Sequence, residues 1–367
     1  MEWKLKLKIN SINLQNFRNY NILNINFDSE TNIIYGDNAQ GKTNILEAIY
    51  VSATTKSHRG NKDREMISFN EDESHIKSIV EKSGTVYRID MHLKKNKSKG
   101  IAINGIPIKK ASELFGIVNI VVFSPEDLTI IKDGPAARRR FIDMELSQID
   151  KIYLNDLSNY NRILVQRNKL LKDLYFKEDT IDTLDVWDMQ LVNYGRKLIA
   201  ARVGFIESLN KIIGKIHNNL SGNKEQLLIK YEPDICVENF EKELARNRER
   251  DLRTKMTNIG PHKDDISFFI NGKDVRKFGS QGQQRTAALS LKLSEIELVK
   301  SVIHDSPILL LDDVLSELDS NRQNFLLNSI KNIQTIITCT GLDEFVNNRF
   351  TVNKIYKVTE GHVSIEN

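Results

Sequence analysis

The hydrophobic positions change period several times along the chain, and each change marks an element. Residues 5–17 open with Leu5, Leu7 and Ile9 alternating with Lys4, Lys6 and Lys8, which predicts a half-buried strand and not the apolar run of a leader peptide. Two short strand patterns follow at 22–27 and 31–35, and TNIIYGDNAQGKTNILEAI carries the second of them through a glycine-bounded loop into a helix. At 307–314, PILLLDDV is the apolar run that a parallel strand buried on both faces requires, and it ends in Asp312 and Asp313. Acids at the end of such a strand are expected beside the loop of the neighbouring strand. FGSQGQQRTAALSLKLSEIEL at 278–298 opens a long helix, and TIITCT at 335–340 reads as one more strand.

Residues 141–217 are strongly helical. Tyr153, Leu157, Tyr160, Leu164, Leu171 and Leu174 keep a 4, 3, 4 spacing interrupted by Arg167. Trp187, Leu191, Tyr194, Leu198, Ala201 and Phe205 repeat it after a polar turn near 176–185. Two antiparallel helices of roughly 25–30 residues, each about 40 Å long, follow from this. They form either a short coiled-coil arm or an ordinary helical subdomain packed on the core.

Composition limits the functional classes. With 367 residues, 40% hydrophobic and 28% charged, the chain is too long for one small domain and suits two or three lobes. No run reaches the ~18 apolar residues of a membrane span. Cys236 and Cys339 lack C-x-x-C spacing, so neither a disulfide framework nor a zinc site is indicated, and a reducing cytoplasm fits. His58, His75, His92, His217, His262, His304 and His362 show no metal-ligand spacing. The formal charge of +4 permits nucleic-acid binding without requiring it.

The chemistry begins with the loop Gly36, Asp37, Asn38, Ala39, Gln40, Gly41, Lys42 and Thr43, which matches G-x-x-x-x-G-K-[ST]. Small residues let backbone N–H groups wrap a phosphate chain, Lys42 neutralises its end, and Thr43 is placed to ligate Mg2+. Asp312 is then the magnesium-side acid and Asp313 the candidate that activates water. Ser280, Gly282 and Gln283 open a helix whose N-terminus is either an anion site or a simple cap, although capping leaves unexplained why Gln281, Gln283 and Gln284 crowd one turn. The segment 280–285 resembles the signature motif of ABC ATPases. In that family it contacts the terminal phosphate of nucleotide held by the other subunit, which implies an ATP-sandwiched dimer. SELD at 316–319 and TIITCT resemble, in order, the D-loop and switch strand of the same family. Two positions depart from it: Asp313 stands where most such ATPases have Glu, and the switch position carries Thr338 or Thr340. A carboxylate one methylene shorter holds water less favourably, so slow hydrolysis is expected. FSPEDL at 123–128 lacks the metal-sensing Gln of that family and leaves Glu126, Asp127 or a water link in its place.

Candidate DNA contacts are Lys94, Lys95, Lys97 and Lys99 in one loop, Arg138, Arg139 and Arg140 at a helix start, and Arg246, Arg248, Arg250, Arg253 and Lys255 on another helix. Such clusters neutralise phosphates, or are solvated faces. Three arginines at a helix N-terminus oppose its macrodipole and call for an anion, either DNA phosphate or acids of the arm.

LQNFRNY at 14–20, TTKSHRG at 54–60, FSPEDL, GPAARRRFID at 134–143 and GPHKDDI at 260–266, together with the nucleotide motifs, resemble the RecF family of bacterial recombination-repair ATPases. The resemblance implies an ATP-dependent DNA-binding homodimer that recognises duplex junctions beside single-strand gaps and, with RecR and RecO, helps load the RecA recombinase. It also makes Asn16, Phe17, Arg18 and Asn19 candidates for adenine contact, against plain packing of Phe17, and sets His58, Arg59 and His262 within family-like runs. The expected fold is α/β, an ABC-type P-loop ATPase head with a mixed sheet and an inserted helical lobe bearing a short antiparallel coiled-coil arm. An ATPase lobe of 1–123 and 303–367 would enclose a helical lobe of 124–302, with the arm at about 145–217. A nucleotide-dependent scaffold with incidental hydrolysis is the second reading, and the ATPase subunit of a membrane transporter is disfavoured because the arm replaces its coupling region.

Overall fold

The computed structural model describes residues 7–60, 62–174, 182–342 and 352–366. Two compact units emerge, one of Met1–Asp127 with Lys292–Asn367 and one of Leu128–Leu291. The first begins with β1 (Lys8–Phe17), β2 (Tyr20–Asn26), β3 (Thr31–Tyr35), α1 (Lys42–Thr54), β4 (Glu73–Lys82), β5 (Thr85–Lys94), β6 (Lys97–Ile103), β7 (Ile106–Pro107) and β8 (Ile120–Phe123). The second carries α2 (Leu128–Lys132), α3 (Pro135–Ile149), α4 (Lys151–Leu174), α5 (Asp182–Leu220), β9 (Leu227–Glu232), α6 (Phe240–Arg246), α7 (Arg248–Thr254), β10 (Asp265–Ile270), β11 (Lys273–Asp274) and α8 (Val275–Phe278). The division falls within α9 (Gln281–Ile303), and the first unit is completed by β12 (Ile308–Asp312), α10 (Ser320–Ser329), β13 (Thr335–Cys339), β14 (Lys354–Thr359) and β15 (His362–Glu366).

Two sheets build the first unit, one antiparallel in the order β2-β1-β4-β5-β6-β7 and one mixed in the order β15-β14-β3-β13-β12-β8. In the mixed sheet all pairings are parallel except that of β15. Its central strands carry consecutive apolar residues because Ile33, Ile34, Leu309, Leu310, Leu311, Ile336 and Ile337 are all covered. The antiparallel strands alternate instead: β4 buries Ser74, Ile76 and Ser78 and turns Glu73, His75 and Lys77 outward. α1 packs on both sheets, touching β1, β4 and β5 as well as β8, β12 and β13. Nearly every side of that helix is therefore buried.

The strand order corrects one expectation. β12, which carries the paired acids, does not neighbour β3; β13 lies between them and sets Thr338 opposite Asp312. An apolar run shows that a strand is interior but not which interior strand it pairs with.

In the second unit α4 and α5 pack along one another, and α5 runs for 39 residues, about 58 Å, well beyond the expected length. Tyr153, Tyr160, Leu171, Leu191, Leu198 and Phe205 lie in the buried seam as expected. Asp156, Ile163 and Arg167 on α4 and Leu184, Asp188, Gly195 and Arg202 on α5 are buried along it too, whereas Leu157, Leu164, Trp187, Tyr194 and Ala201 are half-buried flanks. Periodicity counts apolar side chains, but a buried ion pair fills a seam position equally well. Arg167, the interruption in the pattern, reaches Asp188 Oδ1 at 2.5 Å, Asp251 Oδ2 at 2.7 Å and Thr257 Oγ1 at 2.8 Å. At Gly195 a Cβ would stand 2.3 Å from Phe240 Cε1, so glycine lets that fully buried ring reach the helix. The side chain of Leu174, most of the expected polar turn (175–181) and Lys4, Leu5 and Lys6 lie outside the described residues.

Removing Arg167 leaves Asp251 buried without its cation and Asp188 with Arg248 alone. Arg167→Met is expected to cost about 3–5 kcal/mol in denaturant unfolding, against about 1 kcal/mol for Leu164→Ala on the flank.

Candidate functional site

β3 ends at Tyr35, and the loop that follows delivers Lys42 and Thr43 to the first turn of α1. Gly41 has φ 114°, and a Cβ there would meet Asn19 Nδ2 at 2.5 Å and the Tyr20 hydroxyl at 2.7 Å, so the position accepts only glycine. A glycine at the helix start brings no capping side chain, which leaves the first N–H groups of α1 facing the cleft as anion donors. Lys42 is nearly buried, and its Nζ donates to the carbonyls of Gly36 (2.6 Å) and Asp37 (2.8 Å), which hold it over the loop.

Asp312 closes the other side. Its Oδ1 accepts hydrogen bonds from Thr43 Oγ1 (2.9 Å) and from Thr338 Oγ1 (2.7 Å). Burial, at 6% exposure, pushes its carboxyl above the ordinary carboxylate range, and the two hydroxyls oppose that shift. Asp313 has φ 54°, an uncommon value for a non-glycine residue, and its N–H donates to Thr338 Oγ1 at 3.1 Å. Thr338, and not the exposed Thr340, meets both acids. A cleft of about 240 Å³ is lined by Asn38, Ala39, Gly41, Lys42, Thr43, Asn44, Arg59, Asp312 and Asp313. The hydroxyl of Thr43 and the carboxylate of Asp312 are hard oxygen donors of the kind Mg2+ takes.

Sequence reasoning missed Glu47. It is fully buried in α1 and accepts a bidentate pair from Arg18, Nε and Nη2 each at 2.8 Å, together with Ser57 Oγ at 2.5 Å. The available signal was one carboxylate inside the apolar run TNILEAI. Arg18 and Asn19 are thereby committed to holding the loop: Arg18 also reaches the Glu65 carbonyl (2.6 Å), while Asn19 donates to the Gln40 carbonyl (3.0 Å) and accepts from Asn44 (2.8 Å). Phe17 is core, which selects packing over adenine contact for that ring. Arg59 faces the cleft, and His58 packs edge-on to Tyr50. Of the two acids near the missing Gln, Glu126 lies 4.0 Å from Arg59, while Asp127 accepts from the Ser124 N–H (2.8 Å) and is pushed by burial to about 6.

In the second unit, Ser280 Oγ accepts from the Gln283 N–H (3.2 Å) and Gln283 Oε1 accepts from the Ser280 N–H (2.9 Å), a reciprocal capping box. Gln283 Nε2 also bonds Glu225 (2.8 Å), and Gln284 bonds the Val275 carbonyl (3.2 Å). Those bonds account for two of the crowded glutamines and leave Gln281 and Gly282 exposed.

The DNA candidates need correction. Arg138 is 2% exposed and forks onto both oxygens of Asp265 (2.6 and 2.8 Å), so an internal acid, and not DNA phosphate, is its partner. Arg139 is half-buried and bonds the Asp264 carbonyl (2.7 Å), which leaves Arg140 as the exposed member. The four lysines flank a hairpin turn, with Lys94 facing Lys97; Lys94 and Lys95 pair loosely with Glu73 and Asp72, and Lys99 holds Asp63 at 2.8 Å. The series from Arg246 to Lys255 is not on one helix: Arg246 ends α6, Arg248, Arg250 and Arg253 lie on α7, and Lys255 follows it, with Arg248 tied to Asp188 at 2.8 Å. No helix among the described residues is long and apolar enough to cross a membrane.

Because the folded-state pKa of Asp312 is raised, this group makes folding less favourable as pH climbs from the unfolded to the folded value, and the penalty is complete above both. Asp312→Asn is therefore expected to raise the neutral-pH melting temperature of nucleotide-free protein. The same change is expected to abolish any Mg2+-dependent part of nucleotide stabilisation, which thermal scans with and without Mg2+ would read.

A P-loop, a capped signature-like helix and paired acids in this order occur in more than one ATPase family, and comparison with known proteins decides among them. The family model described as RecF/RecN/SMC N terminal domain matches residues 8–364. The solved structure described as recombination mediator protein RecF-ATP in the RecFOR pathway superposes with a TM-score of 0.94 at 35% identity, covering 100% of this chain and 99% of that one. An Smc head domain from Pyrococcus furiosus shares the fold, with a TM-score of 0.55 at 16% identity over 98% of this chain and 96% of that one. The DNA replication and repair protein RecF of Lachnospira eligens is 66% identical over 98% of this chain and 99% of its own length. With likeness of that degree running from the first described strand to the last, the chain belongs to the RecF family.

Proposed function

We propose that this chain is an ATP-dependent DNA-binding protein of recombinational repair and replication, with the cleft at Lys42 as its nucleotide site. The observation that carries the reading is the meeting of Lys42, Thr43, Asp312 and Asp313 in one cleft, in a chain whose relatives are described as DNA replication and repair proteins. Gly36 to Gly41 and the first turn of α1 would wrap the phosphates by backbone N–H groups, with Lys42 at their end. Thr43 and Asp312 would hold Mg2+, whose charge offsets that of the triphosphate. Asp313, one methylene shorter than glutamate, would orient water for slow hydrolysis. Its backbone is left-handed, which asparagine also tolerates, so Asp313→Asn is expected to fold and bind ATP while losing turnover.

Ser280, Gly282 and Gln283 would meet the nucleotide of a second copy, so that ATP joins two chains and hydrolysis separates them. The ATPase lobe would comprise 1–123 and 303–367 around a helical lobe of 124–302. Acting in the cytoplasm on single-strand gaps and duplex junctions, the dimer would work with RecR and RecO to help load RecA. Arg140, Lys94 and Lys95 are the phosphate contacts retained from the sequence, since Arg138 is internal.

Fluorescence anisotropy of labelled gapped and duplex DNA, with and without ATP over a salt series, tests the reading. Binding is expected to require ATP, to weaken steeply with salt and to be abolished by Lys42→Met; binding indifferent to ATP would favour the scaffold. Steady-state turnover is expected below about 1 s⁻¹, the low end for enzymes, and tens per second would refute the role assigned to Asp313.

A further inference from the structure

The antiparallel sheet of the first unit brings together three side chains that no sequence spacing links. β4 and β5 pair with His75 directly opposite His92 and Glu73 opposite Lys94. Residues directly opposite have Cβ atoms about 5 Å apart. Glu73 and His75 are two positions apart and share a face, the outer one, because Ser74 and Ile76 point into the core. The two imidazoles stack with centroids 3.9 Å apart and planes 23° from parallel. His92 Nε2 lies 2.9 Å from Glu73 Oε2, and one donor atom from each of the three residues lies within 4.8 Å of the other two. On the far side of His92, β6 presents Gly100, so no side chain there covers the ring. The β5–β6 register shifts between His92 and Lys94, an irregularity that re-aims side chains.

We propose that Glu73, His75 and His92 form a binding site for a borderline divalent transition metal such as Zn2+, with water as the fourth ligand. Two imidazole nitrogens and one carboxylate oxygen are the donor set of an open tetrahedral zinc site. At bond lengths of about 2.0–2.2 Å its ligand atoms stand about 3.3 Å apart, which rotation of these side chains reaches while the paired strands hold their backbone. Mg2+ prefers six oxygens and keeps its waters, so the metal suited to the Thr43–Asp312 cleft does not compete here. The site also bears on the hairpin tip. Glu73 lies 3.6 Å from Lys94 Nζ, so a metal that takes this carboxylate leaves Lys94 unneutralised near Lys95 and Lys97. None of this rests on the ATPase reading.

The test uses the full chain, stripped with a chelator and kept in excess Mg2+. Calorimetric titration with Zn2+ is expected to show one equivalent bound, and Co2+ in its place to give the intense visible absorption of a tetrahedral nitrogen–oxygen site. Both signals are expected to be lost in the double variant His75→Asn, His92→Asn and weakened in Glu73→Gln. All three side chains lie on the outer face, and circular dichroism would confirm that the variants fold. Cys236 and Cys339 remain in every variant, so thiols cannot account for a loss. Equal Zn2+ uptake by wild type and the double variant, or a Co2+ spectrum dominated by thiolate charge transfer, would overturn the site.

Discussion

The hydrogen bond from Thr43 to Asp312 joins positions 269 residues apart and ties together the two sides of the candidate nucleotide cleft. It requires α1 to start at the same end of the mixed sheet at which β12 finishes. Parallel pairing of β3, β13 and β12 provides that, because every strand then ends on one edge. The burial that pushes the Asp312 carboxyl upward follows from the same arrangement. The acid proposed to face the metal is thus held at some cost in stability, as expected where function sets the residue and packing alone would not.

Buried charge is the second organising feature, and it accounts for several runs that carry the family resemblance. LQNFRNY supplies Arg18, TNILEAI supplies Glu47 and TTKSHRG supplies Ser57, and the three meet beneath the phosphate loop. In the second unit GPAARRRFID and GPHKDDI meet through Arg138 and Asp265. Arg202 completes that network with Asp264 (2.7 Å), Asp143 (2.8 Å) and the Pro261 carbonyl (2.6 Å), while His262 bonds the Tyr160 hydroxyl (2.7 Å). A buried carboxylate without its cation would be strongly destabilising, so each arginine is bound to its partner's position. Family-like arginines that suggest contact with an external anion are here largely internal anchors.

How far the sequence reaches varies by kind of feature. The loop of Gly36 to Thr43, the strand with its paired acids and the capped start of α9 were legible because each is a local pattern with a local cause: glycine for positive φ, an apolar run for an interior strand, serine for free helix N–H groups. The two-helix pattern was legible through Leu191, Leu198 and Phe205. Its charged positions were not, because Arg167, Asp188 and Arg202 are polar and signal exposure until their partners are known.

By itself the sequence determined the P-loop architecture, the candidate residues around Lys42 and the family, since these depend on contiguous residues or on their order. Only the tertiary structure decided that Thr338 stands opposite Asp312, that Arg138 faces Asp265 instead of solvent, and that Glu73, His75 and His92 share one patch. The reason is the same in each case. Strand order, register and the pairing of buried charges depend on which distant segments pack together, and one-dimensional spacing carries no record of that choice.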